Sequence, residues 1–477
     1  MKDNLRPKHF SIVSFLFVLF IQNLLPTSLT AKQEEFPKVS EDAYGDSLRM
    51  IPVSEEHDLL TLKDDETIKV DSVKIIGNDI TQDFIILREL TFRSGNITSG
   101  KVLRYNRERV FSLRLFSNVD FYINQENAKN ILVIDVKESW YIYPLPFLRA
   151  QNRDFKKSTY GINLLYRNFR GRNETIRAMM GFGYDPFYSL SYENPALSYK
   201  NELGIQIAFL YSRPTNKSSS AKSIIGDDFR YKIFSQAFGA SKRFDQFNTG
   251  FVWFGFDYIE TPIALGGISA SGGKIDRTLY AGLGYFYDSR DLKQFSENGL
   301  YTFAKFLHKG FGINNISYNE FEIDFREYRR IYGQLLGRWR FNYRAAFGGA
   351  VPFYNYSYLG YEERRVRGHA NDIREGLSYI LTSFELGYSI VKEWDLSIKL
   401  PLLPEKLTSA RIGIYLTSFF DAGDAFKSNE PISLNGFYSG YGFGITVLIL
   451  PYNAMRFEYA LNELGKGEFL IGMGFSF

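Results

Sequence analysis

The chain has 477 residues and a net charge of only +4, with no cysteine and four scattered histidines, His9, His57, His308 and His369. Balanced charge argues against a nucleic-acid partner, missing thiols exclude a disulfide framework and cysteine chemistry, and isolated imidazoles speak against a histidine-rich metal centre. The distinctive feature is 44 Phe, 33 Tyr and 40 Gly, with aromatics at 17%, beside a mean hydropathy of -0.21. Such a chain is too polar for a bundle of membrane helices and too aromatic for a soluble domain. It suits a β wall with one face in lipid and the other in water.

Residues 1–31 read as a secretory signal peptide: Lys2, Arg6 and Lys8 precede an apolar run from Phe10 to Leu25 and a small-residue exit at Thr30-Ala31. No later stretch stays apolar for the roughly 18 residues that a membrane helix needs. Residues 32–67 are acidic and weakly periodic, with Glu34-Glu35 and Asp64-Asp65-Glu66, and are expected to form a flexible linker.

Residues 68–139 change character. Ile68 to Ile75 alternates as one strand, and Gly77-Asn78 turns it. Thr81 is expected to cap a helix bearing Phe84, Ile85, Leu87 and Leu90, which Gly95 ends. A second helix is expected from about Ser99 to Leu115, then strands at Asn118 to Asn124 and Ile131 to Lys137 around a polar turn. The order β-α-α-β-β describes a compact α+β module. The series Val73, Ile76-Gly77-Asn78, Thr81, Arg88-Glu89-Leu90, Gly95 and Arg114-Leu115-Phe116-Ser117-Asn118-Val119 resembles a POTRA domain, the periplasmic module of outer-membrane assembly and secretion barrels.

From residue 140 to 477 the pattern becomes a succession of alternating segments such as Phe321-Glu322-Ile323-Asp324-Phe325-Arg326. Charges at every second position suit a wet lumen, because an unpaired charge in a dry core costs several kcal/mol. At about 21 residues per strand and connection, the span holds about 16 antiparallel strands. The expected fold is therefore an all-β transmembrane barrel preceded by one small α+β domain. Lipid offers the backbone no hydrogen-bond partner, so the barrel must close. Short connections such as Arg329 to Tyr332 alternate with long polar ones (213–228, 261–276, 347–376), as periplasmic turns do with outer loops. The first and last barrel strands are placed near Pro144 to Ala150 and Glu468 to Phe477.

The loop Arg364-Arg365-Val366-Arg367-Gly368-His369 is strongly cationic, and two carboxylates, Glu385 and Asp421, sit in strand-like runs where a charge has no place against lipid. Folded inward, Arg367 would offer both a rigid fork of donors that matches carboxylate geometry. Val366-Arg367-Gly368-His369 resembles the Val-Arg-Gly-aromatic motif on the inward-folding loop of the bacterial surface antigen superfamily. Phe419-Phe420-Asp421-Ala422-Gly423 is similar to its Phe-x-Asp-x-Gly strand motif, and Pro451 with Arg456-Phe457-Glu458-Tyr459-Ala460 to its penultimate-strand pattern. The resemblance implies that Arg367 pairs with Asp421 and Glu385 and locks the loop in the lumen. His369 stands where the family carries Phe or Tyr. Gly472, Phe475 and Phe477 resemble the terminal signal by which outer-membrane barrels are recognised for insertion.

The resemblance implies a bacterial outer-membrane protein that assists insertion or translocation of polypeptides, its POTRA domain in the periplasm capturing clients by strand addition. Expected partners are unfolded outer-membrane or secreted polypeptides and outer-membrane lipids, with accessory lipoproteins as further candidates. A porin-like channel for solutes or one secreted substrate is the alternative. Gly440-Tyr441-Gly442-Phe443-Gly444 precedes no helix and Gly272-Gly273-Lys274 lacks P-loop spacing, so no nucleotide site is expected, and neither is a cofactor, a metal or an enzymatic activity.

Overall fold

The structure, a computed structural model, describes residues 62–151, 154–226, 228–360, 364–369, 372–398, 405–427, 433 and 436–474. The expected signal peptide, nearly all of the acidic linker, and Phe475 and Phe477 lie outside the described residues.

The N-terminal unit contains β1 (Thr67–Lys69), β2 (Ser72–Ile76), α1 (Asp83–Leu87) and β3 (Ile97–Ser99), then α2 (Gly100–Phe111), β4 (Phe116–Glu126) and β5 (Lys129–Glu138). Its sheet has the order β2-β5-β4, with β2 parallel and β4 antiparallel to β5. Ile85, Ile86, Leu103, Val110 and Phe111 of the helices pack on Val119, Phe121, Leu132 and Ile134 of the sheet. Helical and twofold apolar periods meet there in one core.

Two local expectations are corrected. The run from Ile68 to Ile75 is not one strand: it splits into β1 and β2, and β1 pairs with β3 instead of joining the main sheet. The chain changes partner at Val70, whose backbone bonds Gly95 and Asn96, while Asp71 already bonds Asn130. Nor does Thr81 cap α1. Its N–H and hydroxyl both donate to the buried Glu138 carboxylate, at 2.7 and 2.6 Å, and Gln82 occupies the cap position without a side-chain bond.

The barrel begins with β6 (Ile142–Gln151), β7 (Asp154–Phe169), β8 (Glu174–Gly183), β9 (Phe187–Ser198) and β10 (Leu203–Ser212). A loop bearing α3 (Ser219–Ile225) leads to β11 (Lys232–Arg243), β12 (Asn248–Glu260), β13 (Ile275–Asp288) and β14 (Gly299–Lys309). Next come β15 (Tyr318–Tyr332) and β16 (Leu335–Gly348), followed by a long loop containing the small hairpin β17 (Ser357–Leu359) and β18 (Arg374–Gly376). The last five strands are β19 (Ser378–Ser397), β20 (Ser409–Phe426), β21 (Tyr438–Leu450), β22 (Asn453–Asn462) and β23 (Gly467–Met473).

All but β17 and β18 of this segment form one antiparallel sheet of 16 strands, each beside its chain neighbour, with β16 next to β19. Side chains alternate across the wall as the pleat requires: Arg338, Arg340, Asn342 and Arg344 are buried inside, whereas Phe384, Leu386 and Tyr388 are exposed outside. The inner charges pair across strands, as in Arg340 with Asp324 at 2.8 Å and Arg344 with Glu320 at 3.0 Å. Arg329 to Tyr332 is not the β15–β16 turn. β15 continues through those residues, and the turn forms at Gly333, whose φ of +54° suits a residue without Cβ.

The N-terminal unit is docked on the short-turn end of the barrel. Gln82 N–H donates to Gly171 O on the β7–β8 turn, Arg109 to Gln246 O on β11–β12, Tyr105 to Ser289 O on β13–β14, and Arg114 to Tyr452 O on β21–β22, at 2.7–2.9 Å. Ion pairs add to these, Glu108 with Arg411 of β20 and Arg88 with Glu202 beside β10. One apolar cluster runs from Phe111 and Leu115 through Tyr143 and Tyr415 to Leu450. Contacts spread around the ring make the unit a cap over that opening. At the seam between the two end strands, no register pairs β6 with β23 among the described residues.

Candidate functional site: an arginine clamp inside the barrel

The loop between β16 and β19 carries Arg367 into the lumen, where the residue is 7% exposed. Its guanidinium takes Asp421 in a bidentate grip, Nε to Oδ2 at 2.6 Å and Nη2 to Oδ1 at 2.8 Å, and its own backbone N–H adds a third bond at 3.1 Å. Nη1 donates to Glu458 at 2.8 Å and to Glu385 at 3.3 Å. The face of the guanidinium lies 3.6 Å from the ring centre of Phe419.

The wall presents these groups together for a geometric reason. Glu385 on β19 is opposite Phe419 on β20, and Asp421 is two residues further on the same inward face. Glu458 on β22 points into the same space, opposite Gly444 of β21. Arg338 donates to Glu385 at 2.9 Å and Arg456 lies 3.5 Å from Glu458, so three arginines face three carboxylates. That balance lets charge persist away from water, and the bidentate fork fixes its direction.

The rest of the tip is fitted closely. Val366 is 2% exposed and packs with Leu359, Tyr379 and Leu381. Gly368, at φ +98°, donates its N–H to Glu468 of β23 at 2.8 Å, a geometry a side chain would strain. A Cβ on Gly423 would press on Ile380 O, and one on Gly440 would overlap the carbonyl of Arg367 itself.

His369 does more than fill an aromatic position. Its ring stacks on Tyr438 with centroids 4.3 Å apart, while Nδ1 meets Asp372 at 2.9 Å and Nε2 meets Glu463 at 2.8 Å. Burial disfavours its charged form, but the bonds to Asp372 and Glu463 outweigh that and raise its pKa above the ordinary imidazole value. The tip is thus tied to the β22–β23 hairpin as well as to the wall.

The structure brings Val366, Arg367, Gly368, His369, Glu385, Asp421 and Gly423 into one assembly. Gly472 stands apart on β23, against the Arg456 guanidinium. Sequence reasoning did not assign Glu458 to the clamp, although it lies in a quoted motif. It also passed over Gly440 and Gly442. Their twofold spacing on an inward face was the available signal, for Gly440 admits the Arg367 backbone and Gly442 the Phe419 ring.

Comparison with known proteins agrees with this architecture. A model of the Omp85 superfamily domain matches residues 168–477, and the chain belongs to that superfamily. Membership places it in the bacterial outer membrane, with a role in polypeptide insertion or secretion. CdiB from Escherichia coli superposes with a TM-score of 0.50 at 11% identity, over 85% of this chain and 75% of that one. BamA from Haemophilus ducreyi lacking POTRA domains 1-3 gives 0.49 at 14% identity, over 85% and 84%. No curated protein matches the sequence.

Proposed function

We propose that this protein assists insertion or translocation of unfolded polypeptides at the outer membrane, with the N-terminal unit acting as a periplasmic POTRA domain. The observation that carries the reading is the seam. A polypeptide that must enter lipid as a strand needs an unpaired edge to build on, and β6 and β23 offer one inside the wall. The cap would receive the client, and the loop held by Arg367 would keep the lumen shut until the client is engaged. Unfolded outer-membrane or secreted chains are the partners in this reading, with membrane lipid around the wall and accessory lipoproteins at the cap.

A porin-like role is less well supported, because the loop fills one part of the lumen and the cap covers one mouth. Depleting the protein and taking an inventory of outer-membrane proteins tests the proposal. Selective loss of barrel or secreted proteins is expected, and unchanged levels would refute it.

A further inference from the structure

Away from the clamp, the lumen holds a chamber of about 270 Å³ between the cap and the inner wall of β9 to β13. Ile85, Arg88 and Glu89 of the cap bound it on the periplasmic side. Its floor is aromatic. Phe251 and Trp253 alternate with the outward-facing Val252 and Phe254, so both point into the lumen. Their rings are parallel to within 6°, with centroids 5.5 Å apart, and Phe286 of β13 joins them at 5.2 Å from Phe251.

Glycines on both neighbouring strands let the indole lie down. A Cβ on Gly239 of β11 would come 3.2 Å from Trp253 Cδ1, and one on Gly284 of β13 would come 2.7 Å from Cη2. The ring therefore stretches along the wall over β12 and turns a face to the chamber. All three aromatic side chains are half-buried there.

Beside this floor stand two polar side chains with nothing to bond. The register runs Glu193, Gln206, Gly239, Trp253 straight across β9 to β12. Glu193 and Gln206 both line the chamber, and neither side chain has a hydrogen-bond or ion-pair partner among the described residues. The charges of β15 and β16, by contrast, pair with one another, as Arg340 does with Asp324. The carboxylate can only accept, whereas the amide both donates and accepts. At a strand spacing of about 4.8 Å, the row from Glu193 to Trp253 spans about 14 Å. That length suits a short oligosaccharide better than a single ring.

The C–H bonds on one face of a sugar carry partial positive charge and lie well against the negative face of an aromatic ring, while its edge hydroxyls both donate and accept. An aromatic side chain of a polypeptide would match the floor but leave Glu193 and Gln206 unmet. We propose that this chamber is a saccharide-binding site, in which Trp253 and Phe251 stack on a sugar ring and Gln206 and Glu193 hold hydroxyls of the same ring or the next. It is separate from the seam and from the Arg367 clamp, and sugar binding would add to polypeptide handling without depending on it.

The test uses the full chain in detergent micelles, which expose both ends of the barrel to solutes. Triacetylchitotriose, with cell-wall-type amino sugars, and maltotriose, a neutral glucan, are titrated by calorimetry. Saturable binding of either is expected, and the preferred one tells which kind of polymer supplies the ligand. Trp253→Ala should weaken that binding about tenfold through loss of the stack, and Gln206→Ala about fivefold through loss of one hydrogen bond. The Gln206 side chain has no partner within the described protein, so its variant should keep the parent's heat-induced gel shift and separate ligand loss from misfolding. A blocked tripeptide of phenylalanine, glycine and phenylalanine serves as the polypeptide probe. No saturable binding of either sugar, binding unchanged in both variants, or binding of the tripeptide alone overturns the proposal.

Discussion

Arg367 is held by three carboxylates, and removing it leaves Asp421, Glu385 and Glu458 buried with only Arg338 and Arg456 nearby. Stranding buried charge in this way costs roughly 3–5 kcal/mol. Arg367→Ala is expected to insert in the membrane yet lose activity, with its heat-induced gel shift moving to lower temperature. Arg367→Lys should fall between the two, since an ammonium cannot grip Asp421 bidentately. His369 adds a pH dependence. Its folded pKa is raised, so its contribution is fully present below the unfolded value of about 6.5 and fades as pH rises through the folded value. Amide protection at residues 364–369, taken relative to the intrinsic exchange rate at each pH, should therefore be greater at mildly acidic pH than at alkaline pH. His369→Phe should abolish that difference while preserving the stack on Tyr438.

Among elements, β21 shows how a strand can be written around its neighbour. Gly440→Val places side-chain atoms where the Arg367 carbonyl lies. The backbone cannot yield there without expelling the loop, and overpacking of this kind costs about 1–3 kcal/mol. Protease cleavage of the loop in intact vesicles should rise in Gly440→Val and stay low in Tyr441→Val, whose side chain faces outward. This strand also marks where sequence reading stops. Alternation of aromatic with polar residues revealed the wall, because the twofold pleat is a local property of the chain. The Arg367, Glu385 and Asp421 grouping was legible through motif resemblance. Glu458 was not, since its place beside Arg367 depends on the tilt of a strand 91 residues away. Thr81 misled for a similar reason: its partner Glu138 is remote in sequence and competes for the hydroxyl that a cap would use.

For the molecule as a whole, the docked cap is the arrangement least foreseeable from sequence, because it joins surfaces that each look like ordinary polar turns. Glu89 is a pivot of that docking, pairing with Arg109 at 2.9 Å and with Arg243 of the barrel at 2.7 Å. Burial alone would raise its pKa, but Arg243, Lys293 and Arg109 outweigh burial and hold the carboxyl down to about 2. Its contribution is thus complete above about pH 4.5 and is lost as pH falls through about 2. Glu89→Ala should weaken docking by roughly 3 kcal/mol, seen in small-angle scattering as a longer maximum dimension at neutral pH.

In the proposed function, the cap over one mouth and the loop inside the lumen would act as two doors in series along the same passage. Either door alone would then keep the cell envelope tight, so that a client could pass the first while the second held back small toxic molecules. Cells carrying Arg367→Ala or Glu89→Ala singly should keep their resistance to bulky antibiotics, and only the pair should become leaky.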